Sequence, residues 1–362
     1  RALVYGMGLL IDGAARLLEA LLEAGGASFW VRDLLLNGVL AGVGAVLKFL
    51  PQIAVLFFLL SFLEDSGYMA RAAFIMDAPM RKIGLSGRSF VPLLMGFGCT
   101  VPAVMGTRIL ENEKDRRLTV LITPFMSCSA KLPVYSLFLG TFFAGHQPTA
   151  MLLIYLLGVL MGLLSAAFLK NTVLRGEPAP FLMELPDYRL PTLENIRKHV
   201  GRRVKDFLQR AGTTVFLATV LIWLLQSVST NFQMISDSSQ SLLAAAGRAV
   251  APIFTLCGFG GWKQTVALLT GLIAKESIVG AYGVLCAGNT AEGLKALFTP
   301  VSACSYLIFI LFYTPCVAAL AAIRRETGLR FALFSAVYQF ATAWYTSALF
   351  YQVAMLILKL RP

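Results

Sequence analysis

The chain has 362 residues, of which 57% are hydrophobic and only 14% charged, and its mean hydropathy is +0.74. Such values exclude a soluble globular domain, in which about a quarter of the residues carry charge, and indicate an integral membrane protein. The formal net charge of +12 comes from Lys and Arg grouped in short segments beside apolar spans, where they set topology, so it does not point to nucleic acid.

Residues 1–33 carry an amphipathic pattern, Leu9, Leu10, Leu17, Leu18, Leu21 and Leu22 against Asp12, Arg16, Glu19 and Glu23, which predicts an interfacial helix. No cleavable leader is visible and the first residue, Arg1, lies inside an ordinary segment, so the chain reads as a fragment. Stretches of about 20 apolar residues span a bilayer as a helix, and they occur at 34–63, 118–145, 149–169, 211–229, 303–322 and 331–358. In the first of these, Lys48 and Pro51 near the centre predict a kink. Glu64 and Asp65 end that span, either lining a cytoplasmic mouth or forming a solvated helix end, and 64–90 is polar and basic. The largest polar block, 170–210, holds nine Lys or Arg against five acids, whereas 230–248 has only Asp237 and Arg248. The positive-inside rule places 170–210 and the "RRETGLR" segment (324–330) in the cytoplasm and 230–248 outside. The expected fold is all-α, a polytopic helix bundle. Its expected divisions are an interfacial segment (1–33), a first membrane half (34–169), a basic connector (170–210) and a second membrane half (211–362).

Two interruptions repeat. "VPLLMGFGCTVPA" (91–103) and "APIFTLCGFGGWKQ" (251–264) each place a proline a few residues ahead of a GFG triplet, and each is followed by a Pro and Cys in a later span, "TPFMSC" (123–128) and "YTPC" (313–316). Matching Gly- and Pro-interrupted segments in two halves point to a transporter whose site lies where the broken segments meet. Irregular backbone facing lipid would leave peptide groups unpaired, so these breaks must face protein or a water-filled cavity. Gly96, Gly98 and Pro102 make the first break and Gly258 and Gly260 the second, leaving half-helix ends that can meet an ion.

Of the six cysteines none forms a CxxC pair, which excludes a zinc ribbon or a disulfide scaffold, and their ordinary role in a membrane core is that of a small buried hydrophobe. Cys99, Cys128 and Cys316, however, fall at the interruptions. Sulfur ligands select transition metals over sodium, potassium or magnesium. With only His146 and His199 available, both expected in loop regions, an imidazole-based zinc or nickel site is not expected. "LIAKESIVG" (272–280) puts Lys275 and Glu276 in an apolar run, where ionisable groups serve a pathway or a partner. Glu276 is a candidate cation ligand, and Lys275 either neutralises it or snorkels to an interface. Lys131 sits beside Cys128, either lowering the thiol pKa or setting topology, and Met95, Met105 and Met126 beside the cysteines offer thioethers but read first as core.

The stretches 49–77, 84–135, "LTGLIAKESIVG" (269–280) and "YTPCVAAL" (313–320) closely resemble the membrane domain of the ferrous-iron transporter B (FeoB) family. The resemblance runs from about residue 33 onward, and its most specific part is the pairing of GFGC-VPA with PFMSC-A-LPVY. It implies Fe(II) uptake across the bacterial inner membrane, two Gate-type repeats of broken or re-entrant helices, and a pore lined by Cys99, Cys128 and Cys316. The expected partners are Fe(II) as cargo, membrane lipids, a cytosolic GTP-binding domain of the same protein and a small accessory protein, with a homo-oligomer left open. No resident cofactor and no enzyme activity are expected of these residues, because no GxxxxGK[ST] phosphate loop occurs in the chain. The family's first span is absent or short here, and Thr100 stands where the family often has Asn. The alternative is a nucleoside-like or other small-solute carrier built on the same repeats. A membrane-embedded enzyme lacks its CxxC, its HExxH and its nucleophile–base pair.

Overall fold

The computed structural model describes residues 2–24, 29–172, 188–189, 191–228, 240–286 and 289–360. Residues 173–187 and 190 of the basic connector, 230–239 of the outer loop with Asp237, and the Lys48 side chain lie outside the described residues. Every regular element among the described residues is helical. In chain order α1 (Ala2–Ala24), α2 (Phe29–Asp33) and α3 (Ala41–Asp65) come first, then α4 (Tyr68–Lys82), α5 (Phe90–Gly98), α6 (Thr100–Gly106), α7 (Glu113–Ile122), α8 (Leu132–Phe142) and α9 (Gln147–Thr172). The second part of the chain forms α10 (Leu193–Phe207), α11 (Thr213–Ser227), α12 (Leu242–Val250), α13 (Trp262–Thr270), α14 (Ser277–Leu285) and α15 (Thr290–Leu297). It closes with α16 (Pro300–Phe312), α17 (Val317–Thr327) and α18 (Leu329–Leu360).

Two compact units result, Arg1–Met69 with Pro186–Leu243, and Ala70–Leu185 with Ala244–Pro362. In the first, α1, α10 and α11 pack on α3. α3 runs through Pro51 as one helix, and the irregular backbone lies upstream in wide π-type turns at Leu34–Leu40. Small residues allow close approach there: a Cβ on Gly42 would stand 3.1 Å from the Phe216 ring. Polar ties hold the same unit, the Trp223 indole N–H donating to Asp33 at 3.0 Å and Arg203 pairing with Glu64 at 2.9 Å.

The second unit has a layered logic. Its inner spans, 113–142 and 300–327, are each 72% buried over their most apolar stretch, while its outer spans, 144–172 and 329–359, are only 28% and 11% buried. With one broken and one unbroken span in each half, the broken backbone is enclosed and the continuous helices face the hydrocarbon, the only arrangement that leaves no unpaired peptide in lipid. Leu153, Leu156, Leu160, Leu164 and Phe168 on α9, and Val337 and Leu356 on α18, form that exposed apolar surface. A further pair, Leu242–Cys257 and Trp262–Thr270, is bent by 102° and makes a re-entrant element. These spans make the chain a multi-pass membrane protein.

Packing inside this unit is aromatic. Phe138 stacks on Tyr306 at 5.2 Å and meets Phe298 edge-on at 5.2 Å, and Phe259 meets Tyr306 at 5.1 Å, the offset and T-shaped geometries that ring quadrupoles favour. α18 is fixed to α16 by the Ser305 and Ser347 hydroxyls, 2.8 Å apart, small polar residues that bind membrane helices closely. Glu326 on α17 accepts a forked pair of bonds from Arg108, at 2.6 and 2.9 Å, and its carbonyl accepts from Arg116. The basic ends of the two broken spans therefore share one side, as the positive-inside pattern requires.

Candidate ion path at the broken spans

Three cysteines occupy three breaks. Cys99 is the single extended residue (φ −155°, ψ 132°) between α5 and α6. α5 ends on a Gly-Phe-Gly run with little helix propensity, and Pro102, which has no N–H to donate, sits in the first turn of α6. Cys128 is extended (φ −71°, ψ 157°) between a 3₁₀ turn at Thr123–Phe125 and another at Ser129–Lys131 that leads into α8. In the second half α16 stops at Phe312, because Thr314 precedes a proline and is pushed away from helical backbone. Cys316 (φ −58°, ψ 157°) then caps α17. All three side chains are partly buried.

The breaks touch one another. The Ser129 hydroxyl donates to the Gly98 carbonyl at 2.9 Å, joining the residue before Cys99 to the residue after Cys128. A Cβ on Gly96 would stand 3.1 Å from Met126, so α5 lies directly against the second interruption. The Val317 amide donates to the Leu272 carbonyl at 2.8 Å, tying the start of α17 to the turn between α13 and α14. Glu276 ends that turn, and it, Cys128 and Cys316 all lie within electrostatic reach of Cys99. Among the described residues no three His, Cys, Asp or Glu side chains form a ready metal cage; the sulfurs are distributed over successive breaks.

Both lysines of this region turn inward. Lys275 is 3% exposed, donates to the Thr314 carbonyl at 2.7 Å and stands 3.0 Å over the centre of the Tyr313 ring, rather than reaching an interface. Lys131, also 3% exposed, donates to the Leu311 carbonyl at 2.7 Å. The second Gate interruption differs from the first. Gly258 adopts a left-handed φ of +82°, where a Cβ would strike the Tyr351 ring, and Gly260 lies against Thr255. Cys257 beside it is fully buried with its sulfur 3.7 Å from the Trp344 carbonyl, the small core residue that composition suggests. Met95 and Met126 are core residues as well. Glu64 and Asp65 belong to the first unit, where Glu64 forms the pair with Arg203.

Sequence reasoning overlooked Ser129 and Glu326. Ser129 stands immediately after a candidate cysteine, which is a usable signal, but Glu326 lies in a segment read only for its basic charge.

Two broken spans inside two unbroken ones, each pair preceded by an interrupted segment, define a Gate-type membrane domain. Residues 46–142 and 208–330 match the Gate family, described as nucleoside recognition, and residues 151–203 match the family described as ferrous iron transport protein B C terminus. The Fe(2+) transporter FeoB of Staphylococcus aureus is 43% identical over 331 residues, covering 90% of this chain and 50% of the relative. That of Methanocaldococcus jannaschii is 42% identical over 329 residues, covering 87% and 48%. A Fe(2+) transport protein A/FeoB fusion protein of Porphyromonas gingivalis is 38% identical over 377 residues, covering 90% and 44%. The chain belongs to the FeoB family and corresponds to its membrane part. It spans about half the length of the curated relatives it matches. No solved structure matches it.

Proposed function

We propose that this chain carries Fe(II) across the bacterial inner membrane along a path that passes Cys99, Cys128, Cys316 and Glu276, with the two interrupted Gate segments moving as the gate. The observation that carries the reading is the coincidence of a thiol with each of three adjoining backbone breaks. A cation losing its water there meets sulfur and free carbonyls in place of hydrocarbon. Gly96, Gly98, Pro102, Gly258 and Gly260 give the gate its breaks.

The part of the relatives that this chain does not span is the natural seat of nucleotide control. The basic segments 64–90, 108–117 and 170–210 offer a GTP-binding domain of the same protein its docking surface. The fusion found in the Porphyromonas gingivalis relative supports a small accessory protein as a further partner.

The test is radiolabelled Fe(II) uptake by the full-length protein in proteoliposomes, comparing wild type with Cys99→Ser, Cys128→Ser, Cys316→Ser and Glu276→Gln. Each thiol replacement is expected to lower uptake about tenfold or more, since a hydroxyl is a poor ligand for a borderline metal. Unchanged uptake in all four would refute the path, and nucleoside uptake by the same vesicles would favour the solute-carrier alternative.

A further inference from the structure

In transporters built from broken helices, the carbonyls freed at a break, and at the C-terminal end of the half-helix before it, hold the coupling cation. The α16 break has freed carbonyls of this kind. α16 ends at Phe312, so beyond the Phe309 carbonyl, which accepts from the Tyr313 amide, the carbonyls of its last turn have no following turn of helix to bond. The non-helical residues 313–315 add more, the Cys316 carbonyl being taken by the Leu320 amide. At this point the protein supplies cations of its own. The Lys131 ammonium reaches the Leu311 carbonyl from the first half of the chain, and Lys275 reaches the Thr314 carbonyl from the turn after α13, each at 2.7 Å. Lys275 also lies 3.0 Å above the Tyr313 ring, where the π-face attracts a cation.

Burying two ammonium groups is costly. A topology signal would not require it, because lysine snorkels readily. What offsets the cost is the set of carbonyls at the negative end of the α16 dipole, the same groups that a mobile sodium or potassium ion would use.

We propose that Lys131 and Lys275 are tethered substitutes for a coupling cation: their side-chain nitrogens fill the carbonyl positions of the α16 break, so that the permease moves its cargo without a monovalent co-ion, and removing either group opens a monovalent-cation site. This rests on the transport reading above for the cargo, but the site itself is defined by the carbonyls and the two ammonium groups alone.

Two measurements on the full-length protein test it. Fe(II) uptake by the wild type is expected to agree within about twofold in sodium, potassium and choline media. Thermal unfolding in detergent then compares wild type, Lys131→Ala, Lys275→Ala and Lys275→Met. Both alanine variants are expected to show a saturable rise in Tm with methylammonium or sodium that equal choline does not give. Wild type and Lys275→Met, in which the space is filled, are expected to show none. A wild type whose uptake requires sodium or potassium would overturn the proposal, and so would alanine variants stabilised equally by all three cations or a Lys275→Met response matching Lys275→Ala. Should the alanine variants fail to fold even with methylammonium throughout purification, a site restored by that ion is refuted as well. Absence of iron uptake in every protein would sink the transport reading while leaving the stabilisation result to stand or fall alone.

Discussion

Gly158 and Gly162 are spaced four apart on α9, on the face that packs against the Thr123–Phe125 turn. Small residues at this spacing let membrane helices approach closely, but the two positions are not equivalent. A Cβ at 158 would stand 2.8 Å from the Phe125 carbonyl oxygen, a backbone atom, with Leu311 at 3.3 Å. A Cβ at 162 would stand 2.7 Å from the Met126 terminal methyl, the far end of a flexible side chain, and 3.5 Å from the Phe125 Cβ. Either alanine gains about 0.4–1 kcal/mol by restricting the unfolded chain. At 158 the neighbouring backbone must retreat about half an ångström, and overpacking of this kind costs about 1–3 kcal/mol; at 162 a rotation about a methionine torsion suffices. Gly158→Ala is therefore expected to lose about 1–2 kcal/mol and Gly162→Ala to stay within about 0.5 kcal/mol of wild type. Thermal unfolding in detergent, followed by tryptophan fluorescence, reads the difference as a few degrees in Tm. Because the displaced turn leads to Cys128, Gly158→Ala is also expected to reduce Fe(II) uptake more than Gly162→Ala does. A Gly162→Ala protein less stable than Gly158→Ala, or two variants identical to wild type, would refute the view that α9 holds the break by backbone contact.

Gly258→Ala meets two obstacles at once, a left-handed φ of +82° and the Tyr351 ring within 2.5 Å of the new Cβ, and is expected to lose about 2–4 kcal/mol. Adding Tyr351→Ala should return the steric part, which a double-mutant cycle in Tm would show. Arg108 and Glu326 form an uneven pair, since the guanidinium is 56% exposed and the carboxylate only 6%. Arg108→Ala strands a buried charge whereas Glu326→Gln leaves a solvated one, so the first is expected to cost about 1–3 kcal/mol and the second under about 1 kcal/mol. The reverse order in thermal unfolding would show that the pair is not buried as described. Cysteines introduced at Leu156 and Leu160, on the exposed face of α9, should stay unreactive toward membrane-impermeant maleimides, since a thiol among acyl chains is neither reached by them nor ionised; ready labelling would refute a lipid-facing α9.

How much of this was legible beforehand depended on whether the signal was a pattern along the chain or a meeting across it. Hydropathy exposed α9 and α18 because each is a long unbroken apolar helix, and the Pro and Gly interruptions marked the breaks at Cys99, Cys128 and Cys316 because those residues act on their own backbone. Lys275 and Lys131 stood out as charges in apolar runs, but their partners are main-chain carbonyls of Leu311 and Thr314, which every residue carries and no composition reveals. The Arg108–Glu326 pair spans 218 positions of sequence, and nothing in either local segment announces the other. For the same reason the grouping of residues 1–69 with 186–243 could not be read from the order of spans.

The two halves, alike in hydropathy, are unlike in chemistry. Where the first half breaks at an extended cysteine, the second turns through 102° on Gly258 and places the neighbouring thiol of Cys257 against a carbonyl in the core. A left-handed glycine can make that turn without a side chain, while an extended cysteine keeps its side chain next to the break. The two interrupted segments thus differ in where they hold their sulfur, Cys99 at the break itself and Cys257 in the core, while Cys316 and the lysine-bound end of α16 belong to a later break of the second half.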